Sequence, residues 1–119
     1  MTEIQNSKKY DLEKRTLDFA RAVTVYVNKL LKNIPNIEYA KQLVRSAGSV
    51  GANYIEANES LSRKDFLMRI KICRKEAKET RYWLELIEIT DELKILKNDL
   101  INESTELMKI FGSIIEKSK

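Results

Sequence analysis

The chain has no histidine, a single cysteine, one proline and three glycines among its 119 residues. Without histidine there is no Ser-His-Asp triad and no Cys-His dyad. Cys73 alone supports neither a zinc finger nor an intramolecular disulfide, and no glycine-rich phosphate loop is present. So little glycine and proline is also too few turn formers for a sandwich or barrel of short strands. The apolar runs are short, Val25-Tyr26-Val27 being typical, against the ~20 residues needed to span a bilayer. The chain opens without a basic, apolar, small-residue export pattern, so a soluble cytoplasmic protein is expected, with no membrane partner. A lone cysteine in a helical pattern fits a reducing compartment.

What remains is a helix-forming composition, 43% hydrophobic and 34% charged. The expected architecture is all-α, an antiparallel up-down-up-down four-helix bundle spanning residues 10–119 behind a loose arm over 1–9. Helices are expected at about 11–33, 37–60, 63–90 and 98–117. Leu12, Thr16, Phe19, Val23, Tyr26 and Leu30 recur at steps of three and four, the spacing of one helix face. Pro35 is expected to stop that helix and Asn36 to cap the next. The second helix carries Ile37, Ala40, Leu43, Val44, Ala47, Val50, Tyr54 and Ala57 on its apolar side. Its middle is rich in small residues, and Gly48 and Gly51 cost roughly 2 kcal/mol of helix propensity relative to alanine. Close approach of another helix or another subunit explains such a stretch, and a loop over 48–51 is the alternative.

Ser62 as N-cap, Asp65 three residues later, and Leu61 with Phe66 at staple spacing mark the third helix start. Phe66, Ile70, Cys73, Ala77, Thr80, Leu84 and Ile87 form its seam. A second, semi-apolar flank runs through Met68, Ile72, Glu76, Glu79, Trp83 and Leu86, and a helix with two faces to bury predicts association of copies, with Ile72, Glu76, Trp83 and Leu86 at the contact. In the fourth segment Leu100, Leu107, Ile110, Phe111, Ile114 and Ile115 continue the pattern.

Charge is unevenly placed. The chain has 22 Lys+Arg against 18 Asp+Glu, a net +4 and a pI near 9.1. Residues 63–81 hold eight basic and three acidic side chains, a net +5, whereas 82–106 hold seven acidic and two basic ones, a net −5. At 100° per residue Lys71, Arg74, Lys75, Lys78 and Arg81 share about a third of the helix circumference. Such a stripe, repeated around an oligomer, is suited to a phosphate backbone, with Tyr82 beside it as the aromatic best placed to touch a ligand. The other reading is a solvated face laced with pairs such as Lys75 with Glu79. Glu76 and Glu79 lack the Glu-x-x-His partners of a di-iron bundle, so structural ion pairing is expected there rather than metal or acid–base chemistry. No catalytic role and no cofactor is expected.

Longer strings carry a resemblance. Tyr10-Asp11-Leu12, Arg15-Thr16-Leu17 and Phe19-Ala20, then Gln42 to Ser46, Ser49 to Ala57, Ser62 to Phe66 and Lys75 to Leu84, resemble the bacterial four-helix-bundle family associated with intervening sequences in 23S ribosomal RNA genes. Glu106-Leu107, Ile110-Phe111 and Ser113 extend the likeness almost to the C-terminus. The resemblance implies assembly into a homopentameric ring. It also implies kinship with the accessory variability determinant of diversity-generating retroelements, a basic pentamer that partners a reverse transcriptase and binds nucleic acid. Together the stripe and the resemblance point to a non-catalytic oligomer binding RNA or DNA with weak sequence specificity. The alternative is an oligomeric scaffold that docks a protein such as a reverse transcriptase, with no direct nucleic-acid role.

Overall fold

Four helices follow one another: α1 (Thr2–Asn28), α2 (Ile34–Asn58), α3 (Arg63–Leu86) and α4 (Lys94–Lys117), with one 3-10 turn, Asp91–Leu93, before the last. This computed structural model describes residues 2–119, with side chains described from Leu12 onward; the backbone over 2–9, expected as a loose arm, is the beginning of α1. No strand occurs among the described residues, and none of their helices is long and apolar enough to cross a membrane.

The order is antiparallel at every joint. Gly51 faces Thr16, and Asn58 donates to Glu13, so α2 runs back along α1. Tyr39 meets Trp83 while Arg69 donates to Asn53, reversing α3 against α2. Arg63 donates to the Ser118 carbonyl (2.9 Å) and Lys97 to that of Ile87 (2.9 Å), which reverses α4 against α3. A bidentate Arg15–Glu103 pair, both bonds 2.7 Å, ties α1 to α4 and closes the up-down-up-down bundle. It measures 47 × 24 × 20 Å.

Helical spacing selects most of the core, but Ile37 and Val44, expected on the apolar side of α2, are exposed, and Ala40, Phe66, Ile110 and Ile114 are only half-buried. Leu12, Thr16, Phe19, Val23, Tyr26 and Leu30 are all buried, as are Leu43, Ala47, Val50, Tyr54 and Ala57, the α3 seam from Ile70 to Ile87, and Leu100, Leu107, Phe111 and Ile115. Small residues in α2 are helical throughout, which removes the loop alternative over 48–51. Gly51 has its reason inside the chain: a Cβ there would stand 2.8 Å from Thr16 Oγ1, so α1 and α2 touch where only hydrogen fits. Gly48 does not, because a Cβ there would meet nothing within 4 Å.

Helix ends differ from expectation: α1 stops at Asn28 rather than near 33, α2 starts at Ile34 rather than 37, α3 stops at Leu86 rather than near 90, and α4 starts at Lys94 rather than 98. Pro35 lies in the first turn of α2 instead of ending α1, and Asn33, not Asn36, is the N-cap, its side chain accepting from the Asn36 N–H at 2.9 Å. The missing proline N–H falls among the first-turn donors that have no partner in any helix, so it costs nothing there. α1 stops at Asn28 and α3 at Leu86, because Leu30 and Ile87 turn inward to be buried and carry the chain across the end of the bundle. Ser62 caps α3 as expected, accepting from the Asp65 N–H at 3.1 Å.

Candidate nucleic-acid interface

Lys71, Lys75, Lys78 and Tyr82 follow one another along α3 at steps of four, three and four, which places them on one line of the helix, with Arg74 beside it. All five are exposed. Lys71, Arg74, Lys75 and Lys78 border an open groove of about 520 Å³ between α3 and the C-terminal end of α4, completed by Met108, Ile115, Glu116 and Lys119. Arg74 reaches over α4 at Gly112, where a Cβ would come within 3.9 Å of its Nε.

The carboxylates of α3 point elsewhere. Glu76 and Glu79 lie on the flank that packs against α2, where Arg45 bonds to both: at 3.4 Å from Nη1 to Glu76, and through Nη2 to Glu79. Glu76 is only 8% exposed. Its burial is tolerated because a guanidinium faces it. The Lys75–Glu79 pair that α3 alone would offer is therefore absent, Glu79 being taken by Arg45. None of Lys71, Arg74, Lys75 and Lys78 makes an ion pair or side-chain hydrogen bond among the described residues. Like charges one turn apart repel by a few tenths of a kcal/mol, about 0.2–0.5 per pair, and the one carboxylate bordering the groove among the described residues, Glu116, is paired with Lys119.

Arg81 leaves the group. It is half-buried, 3.8 Å from Glu85 and within 3.4 Å of the Thr105 hydroxyl, so it braces α3 against α4. Lys119, Met108 and Ile115 join the groove without having been singled out in the sequence. Met108 and Ile115 are seven residues apart on one face of α4, a spacing that gives a helix face but not which neighbour it meets.

Of the residues expected between copies, Glu76 is held by Arg45 and Trp83 is stacked on Tyr39 with centroids 6.0 Å apart, both partners lying in the same chain. Ile72 is half-buried and Leu86 is 37% exposed. A separate apolar surface lies on the opposite hairpin, where Leu31, Ile37 and Val44 are exposed along a groove of about 490 Å³ with Val27 and Ala40.

Cys73 is buried in the seam, and burial pushes its thiol up to about 12. A thiol so protonated at neutral pH is a packing group and a poor nucleophile. Burial also raises the Tyr54 phenol above its ordinary range, against a hydrogen bond with Asn58 that lowers it. No group of three or more His, Cys, Asp or Glu side chains able to hold a metal occurs among the described residues.

No curated protein matches this chain. A solved structure does: a protein of unknown function from the S23 ribosomal protein family of Bacteroides thetaiotaomicron VPI-5482, 40% identical, superposes with a TM-score of 0.71 over 87% of this chain and 96% of that one. The family model of the 23S rRNA-intervening sequence protein matches residues 8–115. With the four-helix fold and nearly the whole chain covered, this protein belongs to the 23S rRNA-intervening sequence protein family.

Proposed function

We propose that the chain is a non-catalytic, oligomeric cytoplasmic protein that binds RNA or DNA through the Lys71, Arg74, Lys75 and Lys78 groove. One observation carries this reading: four neighbouring cations border an open groove while Glu76 and Glu79, the two acids interleaved with them, are drawn to Arg45 on the other side. A phosphate backbone supplies the missing counter-charge, and release of its condensed cations drives binding without reading bases. Copies arranged around a symmetry axis, five by the family resemblance, would multiply a weak groove into an avid surface.

Fluorescence anisotropy with labelled RNA and DNA tests the reading. If each chain makes about four phosphate contacts to a single strand, affinity falls roughly 50-fold between about 50 and 200 mM salt. Charge reversal at Lys71, Lys75 and Lys78 removes both the binding and its salt dependence. No binding at the lower salt sinks the reading. In that case the apolar groove at Leu31, Ile37 and Val44 favours the scaffold alternative, in which a protein such as a reverse transcriptase docks and charge reversal on α3 leaves docking unchanged.

A further inference from the structure

Tyr82 continues the cation line by one helical turn. From Lys71 to Tyr82 the line covers about 16 Å of helix axis, at about 1.5 Å per residue. The Tyr82 ring is 57% exposed, yet it is positioned: it stands edge-on to Trp83 (centroids 5.0 Å, planes at 75°), and Trp83 is stacked on Tyr39 of α2 (6.0 Å, 29°). Three rings thus form a ladder across the α2–α3 joint whose outermost member is left to solvent. The Tyr82 hydroxyl has no hydrogen-bond partner among the described residues, so the ring is not held outward by a polar contact. Beneath the cations, Met108 and Ile115 add apolar surface to the groove.

A duplex offers such a site only its phosphates, because its bases are stacked on one another, and an exposed aromatic ring and an apolar wall have nothing on it to meet. A single strand offers phosphates and free base faces together. We infer that the groove takes single-stranded nucleic acid in preference to duplex, phosphates lying along Lys71, Lys75 and Lys78 while a base stacks on Tyr82. This rests on the nucleic-acid reading above and adds the form of the ligand and the residue that selects it.

The test uses the full chain and a labelled mixed-sequence RNA of about 20 nucleotides, alone and annealed to its complement, long enough to occupy a single-strand site of ordinary size. The single strand binds at least about tenfold more tightly than the duplex. Tyr82→Ala weakens single-strand binding by about 5- to 150-fold, the loss of one stacked base, and leaves duplex binding unchanged. Tyr82→Phe retains the preference, since the hydroxyl is not needed. Tyr82→Leu, which keeps apolar bulk against Trp83 without a π face, behaves like Tyr82→Ala; circular dichroism checks that each variant keeps its helices. Equal or tighter duplex binding, or a Tyr82→Leu variant with wild-type single-strand affinity, overturns the inference while salt-dependent binding keeps the wider reading standing. Absence of binding to both forms removes the two together.

Discussion

Tyr26 is fully buried in the bundle and its phenol has no hydrogen-bond partner, a condition shared by the indole N–H of Trp83. Burial raises the Tyr26 phenol to about 12 from its ordinary 10.0, and the Cys73 thiol to about 12 from 9.0. Both groups are neutral when protonated, so the folded chain holds these protons more tightly than the unfolded one. Between pH 9 and 12 the folded state therefore binds more protons, and stability falls as pH rises. It is undiminished below that window. Urea titrations are expected to give a steady midpoint up to about pH 9 and a falling one beyond. Tyr26→Phe should stabilise the chain by about 1 kcal/mol at neutral pH, by removing an unsatisfied buried hydroxyl, and should make the alkaline decline shallower. A variant less stable than wild type at neutral pH would show that the hydroxyl has a partner after all.

At the ends of the helices, what mattered was which polar side chain served which backbone group. Asn36 is buried, and its amide donates to the carbonyls of Leu31 and Glu88, both at 3.1 Å, so one side chain fastens the α1–α2 connection to the α3–α4 connection. Asn33 makes the cap that the sequence pattern placed at Asn36. Asn36→Ala is expected to cost about 2 kcal/mol, because two part-buried hydrogen bonds to carbonyls are lost, at about 1 kcal/mol each. Asn33→Ala should cost nearer 1 kcal/mol, the ordinary cap value. Denaturant unfolding of the two variants side by side checks the order; a smaller loss at Asn36 would reverse the roles assigned here. The interior spans of the helices were legible because spacing at three and four residues fixes a face. Their ends were not, since Asn33 and Asn36 are equally good caps until tertiary contacts claim one of them.

Across the molecule, charge is sorted along the α3–α4 hairpin. The basic groove lies between the middle of α3 and the C-terminal half of α4, and the acidic stretch of 82–106 runs from the end of α3 into the first half of α4. This polarity arises because α4 runs antiparallel to α3. A different feature bears on association. Gly48 is exposed in the middle of a helix, next to Val44 and Ile55, which are about half exposed. Glycine there costs about 1 kcal/mol relative to alanine with no compensating contact inside the chain. Approach of another subunit, one of the two explanations the small residues of α2 offer, would use that face. Gly48→Leu is then expected to shift the particle mass seen by light scattering toward smaller species with helix content unchanged. An unchanged mass would take the α2 face out of the contact and leave Ile72 and Leu86 as the exposed or half-buried apolar residues first expected there.

Sequence periodicity alone established four amphipathic helices and their buried faces, because a 3.6-residue repeat depends only on backbone geometry and on which residues avoid water. It also located the line of lysines and the tyrosine that extends it. What α2 does to α3 could not be read that way. Arg45 is 31 residues from Glu76, and no local spacing shows that it draws both acids off the basic face. Nor does local spacing bring the end of α4 beside that face to make a groove. Those relations depend on which helix packs against which, and so the stripe became a candidate site only when the folded chain had drawn Glu76 and Glu79 away from it.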